Sequence, residues 1–194
     1  DLPQGAIVAT GSLRRKAQLL RVRPDIKIIG MRGNVDTRLR KVNEGYEGMD
    51  ATILASAGIQ RLGLHVPSAI ALDTEEMLPA VCQGLLGLQV RDTDEDIRTR
   101  LAPIEDHAST VAAAAERAFL KTLQGDCNVP LAGYATVDGG EVTMRGLVCG
   151  ENGDPWYFGE EVCLSSDAEA AGIRLATRLM EQGASKVLRA ASGG

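Results

Sequence analysis

The sequence predicts an α/β domain built on a parallel sheet, followed by a smaller α+β domain with a three-stranded antiparallel sheet. Three observations lead there. As far as Gln83, short apolar runs of buried-strand type alternate with capped stretches of helical period. From His107 the order becomes helix, three strands, helix. Arginines also gather in the turns after the first two apolar runs, where side chains are not needed for packing.

Residues 6–10 form the first strand. Ser12 caps a helix carrying Leu13, Ala17, Leu20 and Val22, and the turn Arg23-Pro24-Asp25 stops it. Residues 26–31 are the second strand, and Asn34 or Asp36 begins a second helix through Leu39 and Val42 to Gly45. A third strand spans 50–55, followed by a short helical segment over 59–64. Residues 77–84 read as a crossing segment, 85–90 as another strand of buried type, and 92–101 as a charged helix, with Pro103 at a boundary. Val111, Ala115, Ala118, Phe119 and Thr122 share one stripe of the next helix. Gly139-Gly140 and Asn152-Gly153-Asp154 punctuate strands near 131–137, 141–148 and 156–164. Asp167 caps a last helix that turns Ala171, Leu175, Leu179 and Met180 inward and ends at Gly183.

The 194 residues suffice for one or two domains with a real core. Hydrophobic residues make up 44% and charged residues 24%, the balance of a globular protein that dissolves in water. A net charge of -5 with only 3% aromatics argues against a nucleic-acid partner, by backbone neutralisation or by base stacking. No apolar stretch approaches the roughly 20 residues of a membrane span. The opening Asp1-Leu2-Pro3-Gln4-Gly5 lacks an initiator methionine and a signal peptide and reads as a linker, so the chain is expected to be a piece of something longer. Cys82, Cys127, Cys149 and Cys163 show no metal spacing, and His65 and His107 stand alone, so no metal site is expected. A reducing, cytoplasmic compartment follows. Cys149 and Cys163 either face each other across a hairpin or are two buried free thiols.

Ser12-Leu13-Arg14-Arg15 and Arg32-Gly33-Asn34, with Arg38 beyond, place guanidinium groups beside two helix N-termini. The dipole there disfavours cations by a few tenths of a kcal/mol, so these arginines are poor helix stabilisers. They are either solvated surface charges or a site for carboxylates, phosphates or sulfates, and the set favours the site. Thr10, Ser12 and Asn34 add hydroxyl and amide donors. Arg61 reaches the same crevice edge or is a helix-surface charge. Cys127 lies in Gly125-Asp126-Cys127-Asn128-Val129-Pro130, a loop poorly suited to burying a small hydrophobe. Neither the preceding helix C-terminus nor Asp126 activates the thiol, so a chemical role would need a very reactive electrophile. Gln83 beside Gly84 is a donor for an anion or a structural amide, and Glu116-Arg117 an ordinary polar-face or interdomain pair.

Thr10-Gly11-Ser12-Leu13-Arg14-Arg15, Met31-Arg32-Gly33-Asn34-Val35-Asp36-Thr37-Arg38-Leu39, Ala57-Gly58-Ile59-Gln60-Arg61-Leu62-Gly63, Leu78-Pro79-Ala80-Val81-Cys82-Gln83-Gly84 and the Cys127 loop, in this order and spacing, resemble the porphobilinogen deaminase (hydroxymethylbilane synthase) family. The resemblance implies a transferase of tetrapyrrole (porphyrin and heme) biosynthesis. It would condense four porphobilinogen units, with loss of ammonia, into hydroxymethylbilane on a dipyrromethane cofactor held by a thioether to Cys127. Porphobilinogen and polypyrrole intermediates are then the ligands. Their carboxylates would fall to Thr10, Ser12, Arg14, Arg15, Arg32, Arg38 and Arg61, with Gln83 nearby.

The resemblance further implies that residues 1–84 are most of a second lobe of periplasmic-binding-protein type. Residues 85–103 would return toward a first, N-terminal lobe, and 104–194 would form the cofactor-attachment domain. The family's catalytic aspartate would lie in that first lobe, a partner these residues lack, so no catalytic residue is assigned here and the chain alone is expected to be inactive. The complete enzyme would be monomeric. Cys82 and Asp126 stand where the family pattern has glycine. Two other readings compete: a stand-alone module of periplasmic-binding type, taking a small anion reversibly without Cys127, and a structural or regulatory fragment with no ligand.

Overall fold

The computed structural model describes residues 2–124 and 129–192. They divide into two compact units. The first holds residues 2–77, 129–130 and 149–156; the second holds 78–124, 131–148 and 157–192.

The first unit is a parallel sheet with helices in its crossovers. Strand β1 (Ile7–Ala9) lies between β2 (Lys27–Ile29) and β3 (Ala51–Thr52), in the order β2-β1-β3. Ile7, Val8 and Ala9 pair with Lys27, Ile28 and Ile29, while Val8 and Ala9 pair with Ala51 and Thr52. All three strands are shorter than the runs of sequence suggested. For β3 the cause is visible: the Ile53 carbonyl, next in line, accepts from the Arg15 guanidinium at 2.7 Å instead of from a neighbouring strand. Ala9, Met31 and Met49 form one buried cluster of the core here, with Ile7, Ile29 and Val42 packed against them.

Helix α1 (Leu13–Val22) starts where expected, because the Ser12 hydroxyl accepts from the Arg15 amide at 3.4 Å. Helix α2 (Val35–Asn43) starts at Asn34, whose side-chain oxygen accepts from the Thr37 amide at 2.9 Å. A shorter α3 (Ser56–Arg61) follows β3. Val22 points outward and is exposed.

The second unit is built on α5 (His107–Leu123), strands β4 (Leu131–Asp138), β5 (Glu141–Cys149) and β6 (Trp156–Leu164), and helix α6 (Ala168–Leu179). The sheet runs β4-β5-β6, with Leu131 opposite Val148 and Asp138 opposite Glu141. Alternation puts Val142, Met144 and Val148 on the buried face with Phe119, Leu175 and Leu179. Helices α5 and α6 approach closely at Gly172, where any Cβ would run into the Ala115 carbonyl. A short charged helix, α4 (Glu95–Leu101), precedes α5, and α7 (Ser185–Ser192) is the last helix among the described residues.

Four expectations are corrected here. Residues 85–90 are not a strand: Leu86 is 84% and Leu88 62% exposed, and no described residue pairs with the segment. An apolar run becomes a buried strand only where a sheet edge receives it. Asp167 stands before α6 but does not cap it, because its carboxylate pairs with Arg174 at 2.8 Å. Glu116 is not on a polar face; it is 3% exposed. Finally, Cys149 is fully buried, whereas Cys163 is only half-buried; both are free thiols.

Among the described residues, no helix is long and apolar enough to cross a membrane.

Candidate anion-binding site

Parallel pairing puts all three strand-to-helix turns of the first unit at one edge of its sheet. Strand order reverses at β1, the arrangement in which loops diverge and leave a crevice beyond the strand ends. A cavity of about 260 Å³ lies there, lined by Arg15, Gly33, Asn34, Val35, Arg38, Leu54, Ala55 and Gly58. Its wall therefore combines the first turn of α1, the start of α2 and the turn after β3.

Two guanidinium groups give the cavity its chemistry. Arg15 is oriented by the bond from Nη1 to the Ile53 carbonyl. Arg38 is oriented by a bond from Nε to the Gly33 carbonyl, 2.8 Å long. Each bond uses one N–H of a planar fork and directs the others. Burial lowers the Arg15 pKa, and the nearby Arg38 charge lowers it further. Arg14, only 7% exposed, is lowered to about 10, first by burial and then by Arg15. It stays charged at neutral pH, held at a cost on the order of 3 kcal/mol. Gathering like charges in this way is unfavourable for folding, and a bound anion would relieve it.

The small residues matter as much. At Gly33, φ is 122° and a Cβ would sit 3.0 Å from the Thr37 methyl carbon, so backbone alone fits this turn. Gly58 meets the Val35 side chain on the opposite wall, at 3.4 Å for an added Cβ. The surroundings thus suit carboxylate groups: directed cationic donors, two helix N-termini and little side-chain bulk.

The residues named from sequence distribute unevenly. Arg15 and Arg38 line the cavity, and Asn34 lines it while capping α2. Thr10 is buried, and its hydroxyl accepts from the Ser12 amide at 3.2 Å, so both brace the turn that carries Arg14 and Arg15. Arg32 is exposed beside the cavity's Gly33, and Arg61 is exposed one turn beyond Gly58; neither lines the cavity. Gln83 belongs to the second unit, where its side-chain oxygen accepts from the Ala80 amide at 3.3 Å. Cys127, the expected attachment thiol, and Asp126 lie outside the described residues.

Sequence reasoning missed Leu54, Ala55 and Gly58, because attention to charge in the third turn settled on Arg61. It also missed Glu116, whose two carboxylate oxygens accept from the Cys82 amide and, at 2.8 Å, from the Ala135 amide. The signal was its place: Glu116 follows Ala112 and precedes Phe119 on the buried stripe of α5. Desolvation raises its pKa, partly opposed by those two backbone donors. Cys82 itself has φ of 57°, a left-handed conformation that suits glycine, the residue expected there from the family pattern.

Two family models match the chain. One, described as porphobilinogen deaminase, dipyromethane cofactor binding domain, covers residues 1–99. The other, porphobilinogen deaminase, C-terminal domain, covers residues 110–181. The chain is 48% identical over 185 residues to a porphobilinogen deaminase of Lysinibacillus sphaericus, covering 95% of this chain and 58% of that protein. It is 46% identical over 190 residues to one of Syntrophotalea carbinolica, covering 98% and 60%. A third, from a Roseiflexus species, is 42% identical over 187 residues, covering 96% and 61%. The chain thus spans about three fifths of the length of the curated relatives it matches.

Proposed function

The chain belongs to the porphobilinogen deaminase family, and from that premise we propose that it forms part of a transferase of tetrapyrrole biosynthesis. That enzyme condenses four porphobilinogen units, with loss of ammonia, into hydroxymethylbilane. The observation that carries this reading is the pair Arg15 and Arg38 lining one cavity at two helix N-termini. Each pyrrole ring of the substrate bears an acetate and a propionate, so a growing chain is a polycarboxylate. The dipyrromethane group, when bound, supplies the pyrrole end on which that chain grows.

In this reading the chain's own residues bind and orient. Arg15 and Arg38 take carboxylates directly, each contact contributing about 1.5–3 kcal/mol. Arg14, behind them, raises the local positive potential. Thr10 and Ser12 hold the turn and are carboxylate ligands on the family resemblance alone, and Cys127 is the attachment thiol. Arg32, Arg61 and Gln83 are further carboxylate ligands on the family resemblance alone. The same resemblance supports a lobe of periplasmic-binding-protein type over 1–84, a returning segment over 85–103 and an attachment domain over 104–194. It also supports a monomeric enzyme working in the cytoplasm.

No residue of the 194 matches the family's catalytic aspartate, so these residues alone should form no hydroxymethylbilane; product from them would overturn that part. The reading as a whole is tested by exposing the protein to porphobilinogen, then measuring intact mass and a pyrrole-specific colour reaction. Colour and a mass increment at Cys127 are expected, with both lost in Cys127→Ser and reduced in Arg15→Gln and Arg38→Gln. Sulfate or dicarboxylate binding with no covalent pyrrole would favour a reversible anion-binding module instead.

A further inference from the structure

Two stretches far along the chain, 129–130 and 149–156, belong to the same compact unit as the arginine helix α1. The second stretch makes a tight turn, closed by the Gly150 amide on the Pro155 carbonyl at 2.8 Å and the Gly153 amide on the Gly150 carbonyl at 2.9 Å. This turn lies against α1 backbone to backbone. At Gly153, where φ is 84°, a Cβ would fall 2.7 Å from the Ala17 carbonyl oxygen and 2.9 Å from the Arg21 amide nitrogen. Side chains flank that contact: Lys16 with Glu151 at 3.5 Å, Arg21 with Asp154 at 3.9 Å, and the Arg21 guanidinium 5.7 Å from the centre of the Trp156 ring. At its other end the Cys149 amide donates to the Pro130 carbonyl at 3.0 Å.

We propose that the 149–156 turn is a brace that sets α1, and with it Arg14 and Arg15, in fixed register with the chain at Pro130, three residues after Cys127. The inference rests on the reading of Cys127 and the arginines given above. Exposed ion pairs contribute little, so the backbone approach at Gly153 does most of the positioning. Ala17 follows Arg14 by three residues, about 4.5 Å along a rigid helix, so a displacement at Ala17 carries the arginines with it. Displacements near 1 Å at a binding constellation can change rates by about a hundredfold. Gly153 touches no ligand and is a positioning residue.

The test compares Gly153→Ala with Gly140→Ala in the complete protein. Both glycines have positive φ, but an added Cβ at Gly140 meets nothing within 4 Å. Binding of inorganic sulfate is read by calorimetry, and pyrrole loading of Cys127 by intact mass. Gly153→Ala is expected to weaken sulfate binding at least tenfold and slow loading, while Gly140→Ala changes neither. Sulfate affinity within twofold of the parent in Gly153→Ala overturns the brace, as does an equal loss in Gly140→Ala.

Arg15→Gln separates the two layers of the argument. If it binds sulfate like the parent, the site reading fails and the brace with it; if it loses sulfate while Gly153→Ala retains it, only the brace fails. Hydrogen exchange on the unaltered protein needs no variant. By linkage, saturating sulfate should slow exchange at the Gly150 and Gly153 amides, and unchanged exchange there overturns the coupling.

Discussion

Each unit buries a charged side chain, Arg14 in the first and Glu116 in the second, and the two meet different surroundings. In the second unit Glu116 is met by the Cys82 and Ala135 amides, so its carboxylate completes a local hydrogen-bond pattern. In the first unit Arg14 is set beside Arg15, which lies near Arg38, so each charge makes its neighbour harder to hold. Burial opposes both charges; two backbone amides offset part of that cost for Glu116, whereas the Arg15 charge adds to it for Arg14. The contrast teaches where to look for chemistry: the second unit ties its buried carboxylate into its own backbone, and the first gathers cations beside a cavity, where the proposed anion site lies.

The comparison breaks if substitutions in the second unit fail to move stability, or if those in the first move stability alone. The largest effect is expected for Phe119→Ala, which empties the centre of the second unit, where Phe119 packs beside the sheet face at Gly133 and Gly146. A loss of about 3–5 kcal/mol in urea unfolding is expected. Glu116→Gln comes next, at about 1–3 kcal/mol, because an amide cannot accept from both backbone donors.

The pH dependence sharpens that second case. Desolvation raises the Glu116 pKa above its ordinary 4.5 in the folded protein. The folded state therefore holds the proton more tightly than the unfolded state. Stability should fall as pH rises from about 4.5 through the raised value, and then level off. Unfolding midpoints across this range should show that slope in the parent and lose it in Glu116→Gln.

Smaller effects follow. Cys82→Gly relieves a left-handed backbone at a non-glycine residue and should raise stability by about 0.5–1 kcal/mol, read as a higher unfolding midpoint. Burial pushes the Cys149 thiol up to about 12, so it should be the slowest of the three described cysteines to alkylate in the folded protein at pH 8. Arg15→Gln should leave anion-free melting nearly unchanged. It loses one bond to Ile53 but relieves repulsion with Arg14 and Arg38, and its effect belongs in anion affinity.

Much of this was legible in the sequence because it depends on neighbours along the chain. Ser12 caps its helix as read, and of the two starts read for the second helix, Asn34 and Asp36, it is Asn34 that caps it, since a cap needs only the next three residues. The hairpin between β4 and β5 forms at Gly139-Gly140, and the strands fall within a residue or so of their expected limits. The set of motifs also carried the family, and arginines after two parallel strands had to share one sheet edge.

Other features depended on partners remote in sequence, and only the tertiary structure decided them. Residues 85–90 have a strand's composition, but no described residue offers them an edge. Glu116 carries a polar residue's composition, yet its helix face and two distant amides make it internal. The pairing of Arg15 with Arg38, and the exclusion of Arg32 and Arg61 from the cavity wall, came from how α1, α2 and the turn after β3 converge. Local hydrogen bonds and periodicity are short-range and are written into neighbouring residues. Burial, cavity lining and electrostatic coupling are properties of segments brought together by folding, and no single stretch of sequence contains them.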